Sequence, residues 1–240
     1  MPNEPICLSS PRILRALSVT AVNLLIVNLA MQYAVHAAGL DLHGVLHQVD
    51  VGRERNLPTA FTIVLLLSCC ALLAAIAART RQAGDRDSSR WAILALGMAA
   101  MAYDEGFSVH ERLIEPVRAL LGRDNPTDLG VLYYAWIIPG TALVIGVGLF
   151  FLGFLRRLPA WTRRRFVLAG ALYLVGVLVL EAIGGWYDAR RGYENMAYAA
   201  ICSAEEGAEM AGMIVFLGAL LRTVSERFGE LRIRFDADVG

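Results

Sequence analysis

Acidic and histidine residues inside hydrophobic segments are the part of this sequence that could carry chemistry. Carboxylates interrupt three of six long apolar segments, at 104–111, 181–188 and 205–209. A carboxylate at membrane depth costs about 2.5–3.5 kcal/mol on insertion scales. We therefore expect these groups to face a shared interior and to be neutralised there, by a metal ion or by protons.

The first interrupted segment combines carboxylates with an imidazole. Asp104, Ser108 and Glu111 follow the i, i+4, i+7 spacing that predicts one helical face. Glu105 flanks that face, and His110 either joins it or faces a neighbouring helix. Carboxylate oxygens together with an imidazole nitrogen suit Zn²⁺, Mn²⁺ or Fe²⁺. The alternative is a helix end whose charges are solvated at the membrane surface.

The other two interrupted segments hold glutamates deep in apolar sequence. Glu181 follows an uncharged stretch, whereas Asp188 is expected to be a solvated helix end. Glu205 and Glu209 are spaced for one helical face, and Glu206 points away from it. Three glutamates in five residues within one span are the strongest indication of function in the chain.

A fourth candidate is the amphipathic loop 40–57 between the first two segments. His43 and His47 stand at i and i+4 on its polar side, a spacing that can chelate one metal ion. We predict that this pair forms a lid over the acidic site. The alternative is an interfacial helix with a wet polar face.

These segments together predict a divalent metal site. Its expected ligands are Glu105, His110, Glu111, Glu181, Glu205, Glu206, Glu209, His43 and His47. The expected metal is zinc, manganese or iron. No Ser-His-Asp elbow, GxGxxG or ferritin-type Glu-x-x-His motif is present, so no catalytic residue or organic cofactor is assigned.

Three functions remain open from the residues. The first is a metal-dependent hydrolase or oxidoreductase that acts on a lipid-phase or periplasmic substrate, with a carboxylate as general base. The second is a proton- or cation-coupled transporter or channel, because buried acids also mark ion pathways. The third is a structural subunit of a larger membrane complex; a homo-oligomer is also open.

Hydropathy predicts the elements that position these residues. The chain is 57% hydrophobic with a mean hydropathy of +0.52, and several stretches reach the ~20 residues that span a bilayer. We predict an all-α, polytopic bundle within a single integral membrane domain, residues 1–240. Its six helices are expected near 13–38, 57–78, 91–114, 130–155, 166–188 and 196–222.

Charge distribution predicts the orientation and excludes one class of partner. Fifteen of the 22 basic residues, all arginines, fall at the termini and in alternate loops, which places both termini in the cytoplasm. The acidic segments then converge in the outer half of the bundle. A net charge of zero gives no electrostatic basis for nucleic-acid binding.

Several motifs resemble a family of small bacterial polytopic membrane proteins without an established activity. They are Glu54-Arg55-Asn56-Leu57-Pro58-Thr59, Asp104-Glu105 with His110-Glu111, Glu181 with Gly184-Gly185, and Glu205-Glu206 with Glu209. The resemblance covers most of the chain and implies a bacterial cytoplasmic membrane. The membrane hydrolases that include alkaline ceramidases and adiponectin receptors differ, with three zinc-binding histidines in seven helices.

Overall fold

The computed structural model describes residues 10–122 and 125–229, and that part of the chain contains helices and no strands. The predicted all-α class is confirmed. The α-helices are α1 Ser10–His36, α2 His43–Val49, α3 Leu57–Gln82, α4 Ser88–Phe107, α5 Ile114–Leu121, α6 Ile137–Arg157, α7 Ala160–Leu174, α8 Glu181–Arg191 and α9 Met196–Phe228. Two 3₁₀ turns, His110–Leu113 and Pro126–Leu132, and a π-helical turn, Val175–Leu180, connect them.

Five helical segments are long and apolar enough to cross a membrane. They are Ser10–His36, Leu57–Gln82, Pro126–Arg157, Ala160–Arg191 and Met196–Phe228. A sixth span is formed if α4 is taken with His110–Leu121, which bends away from it by 77°. The structure therefore agrees with a membrane bundle of five or six spans.

The helix predicted at 91–114 is broken in the structure. α4 ends at Phe107, and Ser108 adopts a left-handed conformation with φ 47°. A side chain with a Cβ is disfavoured there, so the break requires support from the surrounding structure. The prediction that Asp104, Ser108 and Glu111 share one helical face is wrong, because the helix does not reach Glu111.

The fourth and fifth predicted helices also differ in their limits. The fourth begins at Ile137, because the preceding segment is a 3₁₀ turn in which Gly130 has φ 59° and ψ −119°. The fifth begins at Ala160 and continues to Arg191 through the π-helical turn. Such a turn inserts one extra residue per turn and often occurs at functional sites.

Two opposite ends of the bundle differ in charge. At the arginine end, Arg157 pairs with Asp87 at 2.5 Å and Arg227 lies 3.7 Å from Asp85. The hydrogen bond from Arg157 lowers the pKa of Asp87. The other end, termed the acidic end, holds the carboxylates of the predicted site. Which end faces the cytoplasm stays a prediction.

α9 lies at the centre and packs against α1, α3 and α7. An aromatic cluster closes the core towards the arginine end. The ring of Trp91 meets those of Phe154 and Phe166 edge-on, with centroid distances of 4.9 and 6.1 Å. Trp91 is fully buried.

Asn56 fixes the loop that precedes α3. Its side-chain amide nitrogen lies 3.2, 2.6 and 2.9 Å from the carbonyl oxygens of His47, Asp50 and Arg53. Its side-chain oxygen accepts a hydrogen bond from the Thr59 amide and so caps α3. The buried Asn56 thereby links the end of α2 to the start of α3.

We expect Asn56→Ala to lower the stability of the protein by more than the ~1 kcal/mol typical of a lost N-cap. The reason is that the substitution also leaves carbonyl groups of the loop without a partner. Thermal unfolding in detergent measures the effect. Asn125→Ala is the matched control, since Asn125 caps the Pro126–Leu132 turn from an exposed position. Equal losses of stability for the two variants would show that the hydrogen bonds from Asn56 to the loop carbonyls do not stabilise the fold.

Candidate functional site

A cavity of about 1560 Å³ lies between α4, α6, α7 and α9. It begins at the acidic end and continues among apolar side chains towards the aromatic cluster. Among the described residues that line it, acidic groups greatly outnumber arginines, of which Arg53 is the one present. Its acidic lining is Asp50, Glu54, Asp104, Glu105, Glu111, Glu181, Asp188, Glu194, Glu205, Glu206 and Glu209.

His110 and Asp104 form an oriented pair on the cavity wall. The break at Ser108 turns the chain back, so that the His110 backbone amide donates to Asp104 Oδ1 at 2.8 Å. The His110 ring nitrogen Nδ1 lies 2.8 Å from Asp104 Oδ2. With an ionised Asp104 and a neutral imidazole, Nδ1 carries the proton and Nε2 keeps a lone pair. Trp136 supports the imidazole with a ring-centroid distance of 4.6 Å. The histidine is thus held ready to bind a metal ion or accept a proton.

Glu181 connects this pair to α9. Its Oε1 accepts a hydrogen bond from the Trp136 indole nitrogen at 3.1 Å. The Glu205 carboxyl contacts that of Glu181. Gly184 leaves room for Glu205, whose Oε2 lies 3.9 Å from the position a Cβ would take.

Glu209 is the most buried of the glutamates on α9, with 7% of its surface exposed. It interacts with the phenol of Tyr173 on α7 and lies near Glu105. A Cβ at Gly176 would stand 2.6 Å from Glu209 Cγ and 2.9 Å from the Glu205 carbonyl oxygen. Gly176 belongs to the π-helical turn. That turn therefore brings a glycine to the place where α9 carries its glutamates.

Glu54 is a site residue outside the predicted ligand set. The loop held by Asn56 places it against the break in α4, where the Ser108 hydroxyl donates a hydrogen bond to its carboxylate. Burial raises the pKa of Glu54, and the hydrogen bond from Ser108 opposes that rise. In the described ranges, Arg55 and Ser108 are the two non-glycine residues with positive φ. Ser108 makes this contact and Arg55 directly follows Glu54 in the chain; such strained residues are common at functional sites.

The predicted ligands divide into three groups by position. Eight of the nine line the cavity, and His47 does not. Glu111 and His43 lie at its exposed rim. The buried or half-buried members, Glu105, His110, Glu181, Glu205, Glu206 and Glu209, belong to its interior. The histidine lid is therefore reduced to His43.

Asp188 is not the solvated helix end that the sequence predicted. It is half-buried, and its Oδ2 accepts a hydrogen bond from the Tyr134 hydroxyl at 2.9 Å. That hydroxyl also lies 3.0 Å from the Tyr198 hydroxyl. Asp188 thus joins the segment between the 3₁₀ turn and α6 to α8 and α9. Sequence offers no signal for this contact, because Tyr134 lies 54 residues away.

No group of three His, Cys, Asp or Glu side chains within residues 10–122 and 125–229 has an arrangement that could hold a metal ion. The glutamates surround the same cavity without converging on a point. A preformed chelate is therefore absent from the described residues, and the predicted metal stays a prediction.

Helices, cavity and acidic lining define a polytopic α-helical membrane protein with an interior polar site. The chain belongs to the family described as Domain of unknown function (DUF8692), which matches residues 16–224. This agrees with the sequence resemblance in its general form, a family without an assigned activity. Neither a curated protein nor a solved structure matches the chain significantly.

Proposed function

We propose that this protein is a membrane-embedded hydrolase that uses a divalent cation and acts on a lipid-phase substrate. The observation that supports this proposal is that, among the described residues, the glutamates of the cavity have no basic partners. Glu105, Glu181, Glu205, Glu206 and Glu209 all line it. In the described part of the chain none of these five forms a salt bridge with an arginine.

Charge balance supports a cation over protons alone. One divalent ion neutralises two carboxylates and gains several oxygen ligands at once. Glutamate side chains have three rotatable bonds, so Glu105, Glu206 and Glu209 would hold an ion only after a change of rotamers that brings their carboxylates together. Apolar helix faces surround them, which strengthens the attraction between ion and carboxylate.

The Asp104–His110 pair supplies a further ligand or a base. A carboxylate that accepts a hydrogen bond from Nδ1 fixes the tautomer and raises the basicity of Nε2, a common arrangement behind metal-binding histidines. His110 lines the same cavity as Glu105 and Glu181. The pair therefore supports the mixed carboxylate–imidazole site that the sequence predicted.

The residues of the cavity are suited to hydrolysis, a reaction that needs only water in addition to the substrate. A divalent cation held by the cavity glutamates would supply an activated water. A glutamate outside that ligand set would accept a proton from the water and return it to the leaving group, so that the products together gain one water.

Ion or proton transport fits the cavity less well. A transport path needs polar groups along its whole length. The lining towards the arginine end consists of apolar residues such as Leu155, Phe166 and Phe216 among those described. The aromatic cluster around Trp91 closes this end. The polar groups thus occupy one end of the cavity, as in an enzyme that takes an amphiphilic substrate.

Metal binding tests the proposal directly. We expect protein purified without chelator to contain zinc, manganese or iron in stoichiometric amount by elemental analysis. Glu206→Gln should weaken the affinity for that metal by more than about tenfold, since it removes a charge and an oxygen ligand. Titration calorimetry with the metal measures the change.

Glu115→Gln is the matched control for this substitution. Glu115 is 78% exposed, pairs with Arg118 and does not line the cavity. Its replacement should leave the metal affinity unchanged. Absence of stoichiometric metal in the wild-type protein, or equal affinity in the Glu206→Gln protein, would refute the metal site.

A further inference from the structure

The apolar part of the cavity is a groove between three helices. α4 contributes Ile93, Gly97 and Met101, and α6 contributes Leu143 and Val147. The third wall is α7, with Val167, Gly170 and Leu174. Along α6 the groove runs from Gly140 to Phe154, about 21 Å at 1.5 Å per residue. This length is about two thirds of the ~30 Å hydrocarbon core of a bilayer.

Three glycines keep the groove open. Gly97, Gly148 and Gly170 lie on α4, α6 and α7, and a Cβ at any of them would meet no atom within 4 Å. Glycine in membrane helices usually permits close approach of another helix. Gly212 illustrates that use, since its Cβ would lie 2.8 Å from the Ala169 carbonyl oxygen. The three groove glycines instead border open space and line the cavity, so a side chain added at any of them would occupy part of the groove.

The groove is closed at one end and uncovered at the side. Trp91, Phe154 and Phe166 close it towards the arginine end. Leu143 and Val147 line it and are 68% and 46% exposed. These two lining residues are therefore uncovered, and the groove is open along this part of α6. A molecule from the surrounding bilayer can enter there without crossing water.

The charge of the other end selects the headgroup. Glu54, Glu111 and Glu194 line the cavity at the acidic end, where Arg53 is the arginine present among the described lining residues. One divalent cation deeper in the site would neutralise only part of this charge. A cationic amine is therefore favoured next to these carboxylates, and an anionic headgroup is repelled.

We infer that the groove binds the hydrocarbon chain of an amine-bearing membrane lipid, with the ammonium group at the acidic end. This inference rests on the proposed function, because such a lipid is the substrate class of the same site. The chain lies along α6 from the acidic end to the aromatic cluster. The headgroup linkage is then held beside Glu181 and His110.

Lipid retention tests this assignment. The purified protein is exchanged into micelles that contain equal amounts of phosphatidylethanolamine and phosphatidylglycerol with matched acyl chains, and bound lipid is counted by native mass spectrometry. We expect phosphatidylethanolamine to be retained at least fivefold over phosphatidylglycerol, about 1 kcal/mol. Equal retention, or preference for phosphatidylglycerol, would overturn the amine assignment.

A second experiment fills the groove with larger side chains. Gly97→Phe and Gly148→Phe each place a ring in the empty space, and we expect each to reduce retained lipid at least fivefold. Gly146→Phe is the control, because Gly146 lies on α6 with nothing within 4 Å of its Cβ and does not line the cavity. Unchanged retention in both groove variants would overturn the groove assignment.

The wild-type protein provides a test that does not depend on the folding of variants. A phosphatidylethanolamine with a photoreactive diazirine on its acyl chain should label α4, α6 and α7 at the groove. Labelling that favours the exposed face of α1, where Val22 and Ile26 are 53% and 59% exposed, would refute it. Metal content separates the two proposals: lipid binding without metal refutes the cation alone, and metal without lipid binding refutes this inference alone.

Discussion

Gly212→Ala is expected to push α7 and α9 apart and to destabilise the bundle. A Cβ at this position would lie 2.8 Å from the Ala169 carbonyl oxygen and 2.9 Å from the Tyr173 amide nitrogen. Both are backbone atoms, so no side-chain rotation can relieve the contact. Overpacking of this kind costs about 1–3 kcal/mol. The separation also moves Tyr173 away from Glu209, so the acidic site should lose its geometry together with stability.

Thermal unfolding in detergent measures the first effect, with Gly170→Ala as control. Gly170 is on α7 and its Cβ would meet nothing within 4 Å. Alanine there should be neutral or slightly stabilising, because glycine is the poorer helix former. Gly212→Ala should therefore lower the thermal stability, whereas Gly170→Ala should leave it unchanged or raise it slightly. A Gly212→Ala protein as stable as the wild type would show that α7 and α9 are not held in close contact.

The fold could be predicted from hydropathy because a bilayer imposes the length of each span. Segments such as α1 and α3 are continuous apolar stretches, and their structural limits lie within a few residues of those predicted. The break at Ser108 could not be predicted. A serine in the left-handed region has no local sequence signal, and here it depends on Glu54, which is distant in sequence. Helical spacing therefore failed for His110 and Glu111, which lie beyond that break.

Some residues of the site could be predicted from the sequence, and others could not. Burying an acid in apolar sequence is costly, so Glu181, Glu206 and Glu209 stand out without any knowledge of their neighbours. Glu54 occurs in a polar loop, where an acid is unremarkable. Trp136 contacts Glu181 from a position 45 residues earlier in the chain. Such contacts depend on tertiary packing, which the spacing of residues in one helix does not reveal.

The π-helical turn explains how one helix serves both packing and the site. An extra residue in the turn Val175–Leu180 shifts the register of the following helix. Gly176 then contacts Glu209, and Glu181, at the start of α8, contacts both Trp136 and Glu205. Without the extra residue, the helix after the turn would be rotated by about 100° about its axis, and Glu181 would point in a different direction. The turn is therefore part of the site and not only a packing irregularity.

Glu209→Gln is expected to lower the thermal stability of the metal-loaded protein. Glu209 is 7% exposed and close to Glu105, so its negative charge should stabilise a bound cation. A ligand present at a hundredfold excess over its Kd stabilises the folded state by about 2.7 kcal/mol, and a weakened site loses part of this. Without the cation the sign reverses, because glutamine removes the cost of burying a carboxylate next to others.

Unfolding is therefore measured twice for each protein, once with metal and once with chelator. The gain in melting temperature on adding metal should be smaller for Glu209→Gln than for the wild type, and unchanged for the exposed control Glu115→Gln. Asp188→Asn does not serve as a control, because Asp188 accepts the Tyr134 hydrogen bond. A metal-loaded Glu209→Gln protein that melts at the wild-type temperature or above it would mean that Glu209 is an acid the fold tolerates, neutralised by a proton rather than by a cation.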